Sequence, residues 1–123
     1  MSATPHLLVV DDEAISTMAL ERFLGRKGYR VSVAGDGVKA LSLHRDDPAD
    51  LVITDVRMPR MAGPELVGHL RTDDPELPVI VVSGYMGMDP EQAGLTGPRT
   101  VVLQKPVDVQ ELLRHVERLT DAV

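Results

Sequence analysis

The amino-acid sequence predicts an α/β domain in which one parallel sheet of five strands is covered by helices on both faces. Three observations predict this class. Short apolar runs recur along the 123 residues, and most of them stop at a polar or charged residue. Segments with apolar residues at helical spacing separate the runs, and Gly or Pro stands at most junctions. Because parallel strands need a long crossover connection, strands that alternate with helices favour a parallel sheet.

Five segments have the character of strands. The third runs through Leu51, Val52, Ile53 and Thr54 into a single carboxylate, Asp55, and Pro59 follows. Such a run suits a strand buried on both faces, whereas the alternation from residue 29 onwards indicates an edge strand. The predicted strands are Leu7–Val10, Tyr29–Ala34, Leu51–Asp55, Leu77–Ser83 and Thr100–Leu103.

Helical spacing predicts four helices and one weaker segment. The first helix extends from Ala14 to Lys27, and its apolar residues are Ile15, Met18, Ala19 and Phe23, flanked by Leu20 and Leu24. The second begins after a cap at Asp36 and ends near Arg45, and the third covers Pro64 to about Thr72. The last begins after a cap at Asp108 and has one apolar face, formed by Val109, Leu112, Leu113, Val116 and Leu119. Between Gly84 and Pro98, which is rich in Gly and Pro, only Asp89 to about Ala93 suits a helical turn or two.

These elements define the expected topology. Right-handed crossovers leave few strand orders, and the flavodoxin-like order 2-1-3-4-5 fits best. The expected fold is therefore a doubly wound (βα)5 domain with its switch point between the first and third strands. Residues 1–123 are expected to form this one domain, without an output domain.

Composition narrows the function classes. The net charge of -6 argues against direct nucleic-acid binding, which needs a basic face. The absence of Cys excludes disulfides, thiolate metal sites and a Cys nucleophile. No apolar run has the length of a membrane span, so we expect a cytoplasmic protein without membrane contact. The histidines have no metal-ligand spacing and are expected at the surface: His6, His44, His69 and His115.

Polar residues end four of the predicted strands and are expected to meet at one sheet edge. Asp11 and Asp12 follow the first strand, Asp55 ends the third, Ser83 ends the fourth and Lys105 follows the fifth. Clustered carboxylates repel one another, and Mg²⁺ offsets this because it prefers oxygen ligands. A carboxylate nucleophile, a metal, a lysine and a hydroxyl are the parts needed to form and hold an acyl phosphate.

Four motifs resemble those of a response-regulator receiver domain of the CheY-like superfamily, from two-component signalling. They are VVDDE at 9–13, ITDVRMPRMAG at 53–63, VVSGY at 81–85 and QKP at 104–106. The resemblance covers essentially the whole chain. It implies that Asp55 accepts a phosphoryl group from a histidine of a sensor kinase or a histidine phosphotransfer protein.

The resemblance also implies a role for each residue around Asp55. Mg²⁺, or Mn²⁺, would be held by Asp12 directly, by Asp11 partly through water, by Asp55 and by the backbone carbonyl of Arg57. Ser83 is at the family's hydroxyl position, and Lys105 is at the position of the lysine that pairs with phosphoryl oxygens. The Lys105–Pro106 bond is expected to be cis.

One position departs from the family pattern. Receivers commonly have an aromatic residue three positions before the lysine, where this chain has Val102, which is too short to act as the usual aromatic switch. We expect Tyr85 to take over part of that movement. Arg57 and Tyr85 also occupy the positions that tune how fast water attacks the acyl phosphate. In relatives the fourth helix, the fifth strand and the last helix form the face for output or dimerisation, so a downstream protein is expected there, with the chain a monomer or weak dimer.

Other functions stay open at this level. The chain is alternatively a degenerate receiver that acts only as an interaction module, or a receiver piece of a larger regulator or hybrid kinase. A phosphatase of the haloacid-dehalogenase type would place a second acid where this chain has Arg57. A flavodoxin-like FMN protein would need a phosphate loop in place of Asp11, Asp12 and Glu13, and more aromatic residues. The expected protein is therefore not a turnover enzyme.

Overall fold

A computed structural model describes residues 4–84, 95, 97 and 99–120. Within these residues it contains five strands and four helices. In chain order they are β1 (His6–Val10), α1 (Ala14–Arg26), β2 (Arg30–Ala34), α2 (Gly37–Asp46), β3 (Leu51–Asp55), α3 (Gly63–Asp73), β4 (Val79–Ser83), β5 (Thr100–Gln104) and α4 (Val109–Thr120). The weak helical segment expected at Asp89–Ala93 lies outside the described residues, as does Tyr85.

The five strands form one parallel sheet in the order β2-β1-β3-β4-β5, which confirms the predicted topology. β2 is an edge strand, as its alternating sequence indicates. The register pairs Val10 with Thr54 and Asp55 with Val82, so β1, β3 and β4 end side by side. This edge is therefore where the polar residues that follow the strands gather.

The sheet divides the hydrophobic core into two halves, because successive residues of a strand point to opposite faces. Leu8 and Val10 of β1 pack on one side with residues of α2 and α3, including Leu66 and Leu70. On the other side the alternate residues of β1 pack against α1 and α4, in a cluster that includes Leu7, Val9, Leu24, Leu112 and Val116. Each fully buried aliphatic side chain contributes about 1.5–3 kcal/mol relative to an exposed one.

Two helix caps predicted from the sequence are confirmed. One carboxylate oxygen of Asp36 accepts the backbone N–H of Lys39 at 2.8 Å, before the first turn of α2. Asp108 accepts the backbone N–H of Gln110 at 2.9 Å in the same way before α4. Each such cap satisfies a backbone donor that has no partner within the helix.

The helix predicted from Ala14 is present as α1, but two of its large apolar side chains are exposed. Ile15 is 84% exposed and Met18 is 51% exposed, although both are among the apolar residues whose spacing predicted the helix. The helix instead turns Leu24 and Thr17 inwards, and the Thr17 hydroxyl donates to the carbonyl of Ala14 at 2.9 Å. Because that bond satisfies the hydroxyl, a polar residue is tolerated at a buried position.

The prediction that the histidines lie at the surface is wrong for His6 and His44, which are 3% and 5% exposed. The two ring nitrogens of His6 contact the carbonyl of Pro48 at 3.1 Å and the hydroxyl of Ser32 at 2.7 Å. Nδ1 of His44 accepts the backbone N–H of Ala49 at 3.1 Å. Both rings are buried because each finds partners on neighbouring segments.

Among the described residues, no helix has the length and hydropathy needed to cross a bilayer.

Candidate functional site

Three carboxylates meet at the carboxyl edge of the sheet. Asp11 and Asp12 directly follow β1, and Asp55 is the last residue of β3. Each offers an oxygen such that all three oxygens lie within 4.8 Å of one another. Carboxylate oxygens at this spacing are hard ligands, so this donor set fits Mg²⁺ or a similar dication.

Asp11 is the most enclosed of the three, at 9% exposure. Burial raises the pKa of its carboxyl group, although the hydrogen bond from the Glu13 backbone and the charge of Lys105 act in the opposite direction. The Glu13 N–H donates to Oδ1 of Asp11 at 3.0 Å. That bond fixes the carboxylate and leaves Oδ2 turned towards the lysine.

Lys105, the residue directly after β5, lies beside the acidic cluster. Its Nζ lies 3.1 Å from Oδ2 of Asp55 and 3.8 Å from Oδ2 of Asp11. Burial by itself would lower the pKa of Lys105, but the hydrogen bond to Asp55 and the charges of Asp55 and Asp11 raise it above its usual value. The lysine is therefore held as a cation directly beside the candidate nucleophile.

The backbone fixes the position of Lys105. Its N–H donates to the carbonyl of Ser83 at 2.8 Å, which extends the pairing of β4 and β5 by one step. The Lys105–Pro106 peptide bond is cis, as expected.

A cavity of about 230 Å³ opens beside Asp55 and Lys105. Since one water takes about 30 Å³ in the liquid, this space is large enough for a phosphoryl group and several waters. Its lining residues are Asp55, Val56, Arg57, Gly84 and Lys105. A second cavity of about 280 Å³ lies between α1 and the turn after β5, and Asp55 and Lys105 border it as well.

The other residues predicted for the site are at the same edge but differ in their surroundings. Arg57 lines the 230 Å³ cavity together with Asp55. Ser83 is 2% exposed at the end of β4 and lines neither of the two cavities described above. Val102 is half-buried in β5 and packs against the core half that contains α2 and α3. The expected part of Tyr85 in the switch falls outside the described residues.

Sequence reasoning missed two residues that shape the site. The Thr54 hydroxyl donates to the backbone carbonyl of Asp55 at 2.9 Å, and the residue is fully buried. Gly63 begins α3 directly against Asp55, where a Cβ atom would lie well under 3.0 Å from the Asp55 carbonyl oxygen. Its N–H donates to the carbonyl of Val56 at 2.8 Å. A glycine four residues after Pro59 was visible in the sequence, but the close approach that requires it was not.

Comparison with known proteins gives a consistent result. The family model of the response regulator receiver domain matches residues 7–117. The chain is 37% identical over 114 residues to response regulator MprA from Mycobacterium sp. (strain KMS), covering 93% of this chain and 50% of that protein. For response regulator MprA from Mycobacterium avium (strain 104) the identity is 36%, with the same coverage. This chain thus spans about half the length of these curated relatives.

Solved structures agree with the sequence comparison. The chemotaxis protein CheY4 of Vibrio cholerae superposes with a TM-score of 0.86 and 29% identity, covering 95% of this chain and 99% of that chain. The signal receiver domain of a signal transduction histidine kinase from Syntrophus aciditrophicus gives a TM-score of 0.85 and 28% identity, covering 98% and 92%. The matched family model, the curated relatives and the superposed structures lead to one conclusion: this chain belongs to the response-regulator receiver domain family.

Proposed function

We propose that the protein accepts a phosphoryl group on Asp55 from a phosphohistidine, in a reaction that needs Mg²⁺, and thereby switches its binding to a partner. Receiver domains are signalling modules of two-component systems and not turnover enzymes. The observation that carries the proposal is the position of the Asp55 carboxylate. It lies 3.1 Å from the Lys105 ammonium, within a cluster of three acids, at the mouth of a cavity.

The proposed chemistry is a direct transfer. One Asp55 oxygen bonds to phosphorus while the P–N bond to the donor imidazole breaks, and the imidazole leaves with the electron pair of that bond. The Val56 N–H donates to Oδ1 of Asp55 at 2.8 Å and orients the carboxylate. Lys105 is close enough to pair with a phosphoryl oxygen. Because Ser83 is buried and lines neither cavity, we assign its hydroxyl to donate to another phosphoryl oxygen only after the loop that follows β4 has moved.

The acids would hold the metal that this reaction needs. Asp11, Asp12, Asp55 and the backbone carbonyl of Arg57 are the proposed ligands for Mg²⁺ or Mn²⁺. When bound, the ion supplies positive charge that offsets the charge on the phosphoryl oxygens. We further propose that Arg57 and Tyr85 tune the later attack of water on the acyl phosphate.

The exposed side chains at the start of α1 support docking of the phosphodonor there. Ile15 and Met18 are large, apolar and exposed, and they lie just after the acidic pair. A histidine kinase or phosphotransfer protein that covers them would bring its histidine to the mouth of the site. Apolar side chains of this kind are common anchors of protein interfaces.

We propose that the phosphoryl group shifts an equilibrium between two states of the loops after β3 and β4. The output is binding of a downstream protein through β5, α4 and the segment before β5. Residues 1–123 would act as one receiver domain, as a monomer or weak dimer in the cytoplasm.

The test is intact-mass spectrometry after incubation with Mg²⁺ and acetyl phosphate. We expect the mass gain of one phosphoryl group, dependent on Mg²⁺ and absent from Asp55→Asn. If no adduct forms, binding of beryllofluoride distinguishes a short-lived adduct from an unused site. Failure to bind either reagent would refute the proposal and favour a receiver that acts only as an interaction module.

A further inference from the structure

The loop between β3 and α3 contains a residue in an unfavourable backbone conformation. Arg60 has φ 68° and is the one described residue other than glycine with positive φ. A side chain with a Cβ atom disfavours this left-handed region. Such a conformation persists only when surrounding contacts impose it.

An ion pair holds Arg60 in place. Its Nη2 lies 2.6 Å from Oδ2 of Asp36, the residue that caps α2. The other oxygen of Asp36 is already fixed by the Lys39 backbone. Both contacts lower the pKa of Asp36, and the hydrogen bond from the Lys39 backbone has a larger effect than the one from Arg60. The Asp36 side chain is 16% exposed and the Arg60 side chain is 62% exposed, so solvent reaches this pair from the Arg60 side.

Close packing beside the ion pair joins the same two segments. A Cβ atom on Gly37 would lie 2.7 Å from both the Cβ and the carbonyl oxygen of Met61, the residue after Arg60. The loop therefore rests directly on the first turn of α2. At its other end the loop is closed by the hydrogen bond from Gly63 to Val56.

We infer that Arg60 is a positioning residue that fastens the β3–α3 loop to the start of α2, and so sets where the Arg57 carbonyl lies relative to Asp55. Arg57 lies between the two anchors, three residues before Arg60. This inference rests on the proposed function, because it assigns that carbonyl to the metal. It predicts that a contact outside the acidic cluster controls the affinity for Mg²⁺.

Two single variants and their combination test the inference. Arg60→Asn removes the guanidinium and keeps a residue that tolerates the left-handed region. Asp36→Asn removes the charge and keeps a capping side chain. We expect each to weaken Mg²⁺ binding by about threefold to tenfold, near the lower limit for groups that orient metal ligands. The double variant should bind Mg²⁺ no more weakly than the single variants do, because all three variants lose the same contact.

A second readout does not involve the metal. The Gly63 amide, whose hydrogen bond closes the loop, should exchange its hydrogen faster in both variants without Mg²⁺. The matched control is Arg30→Asn, which breaks a pair to Asp47 of the same 2.6 Å length in another part of the fold. Arg60→Lys restores the charge and should recover part of the Mg²⁺ affinity, which a general loss of stability would not explain.

The outcomes separate the two proposals. Weaker Mg²⁺ binding in both site variants, with unchanged binding in Arg30→Asn, supports the inference. If the wild-type protein binds Mg²⁺ and both site variants bind it equally well, Arg60 does not position the loop. If the wild-type protein binds no Mg²⁺, the proposed function itself fails, and the inference falls with it.

Discussion

Replacing Gly63 by alanine is the sharpest test of how the site is built. The new Cβ atom would lie 3.1 Å from the Cα of Val56 and 3.2 Å from the carbonyl carbon of Asp55, and closer still to the carbonyl oxygen. These are backbone atoms at the end of β3 and cannot swing aside as a side chain can. The start of α3 must therefore move away from Asp55.

The expected cost follows from these contacts. Overpacking in a filled region costs about 1–3 kcal/mol. Stretching the 2.8 Å bond from Gly63 to Val56 adds about 1 kcal/mol. Alanine returns at most about 1 kcal/mol through its higher helix propensity. We expect a net loss of about 2 kcal/mol in the free energy of unfolding, which lowers the urea midpoint by about 1 M.

Gly68→Ala is the matched control in the same helix. Gly68 is exposed, and a Cβ atom there meets nothing within 4 Å. Equilibrium urea unfolding should show this variant to be as stable as the wild type or more stable, by up to about 1 kcal/mol. Gly63→Ala should in addition take up phosphoryl groups from acetyl phosphate more slowly. Equal midpoints for the two variants would refute the argument that close approach to Asp55 requires glycine.

Three further predictions concern stability and donor docking. Replacing His44 by phenylalanine leaves the Ala49 amide without its acceptor and should cost about 1–2 kcal/mol at pH 7.5. Because burial lowers the pKa of His44 in the folded state, the difference in unfolding free energy between wild type and variant should shrink as the pH falls below about 6.5. A difference that stays constant with pH in urea titrations would contradict this. Arg71→Met removes hydrogen bonds to the carbonyls of Leu77 and Arg99, so it should lower the unfolding free energy by about 2–3 kcal/mol, whereas an unchanged midpoint would exclude this anchoring role. Ile15→Ala should slow phosphotransfer from a cognate kinase about tenfold, as expected for an interface anchor, and leave uptake from acetyl phosphate unchanged; equal slowing with both donors would argue against docking on α1.

Much of the fold could be predicted because its signals are local. The run that ends in Asp55 is apolar because both of its faces are buried, and the parallel topology then brings Asp11 and Lys105 to the same edge. The polar residues at four strand ends were therefore visible in the sequence before any distance was known.

The features that were missed depend on contacts between distant segments. The apolar residues of α1 occupy more than one face, so spacing could not show that Ile15 points outwards. His6 is buried because its partners, Ser32 and Pro48, lie 26 and 42 residues away along the chain. The left-handed backbone of Arg60 has no sequence signal, since arginine is not typical of that conformation.

The two-sided core has a consequence for how this sequence can change. In β4, Val79 and Val81 face the half that contains α2 and α3, whereas Ile80 and Val82 face the half that contains α1 and α4. Neighbouring residues of this five-residue strand thus pack in different halves of the core and contact different helices. In a deep mutational scan of double variants, we expect substitutions at every second residue of a strand to be compensated by substitutions in one pair of helices. Substitutions at the residues between them should be compensated in the other pair. The surface around α1 can therefore be remodelled for a new partner while the opposite half of the core keeps its packing.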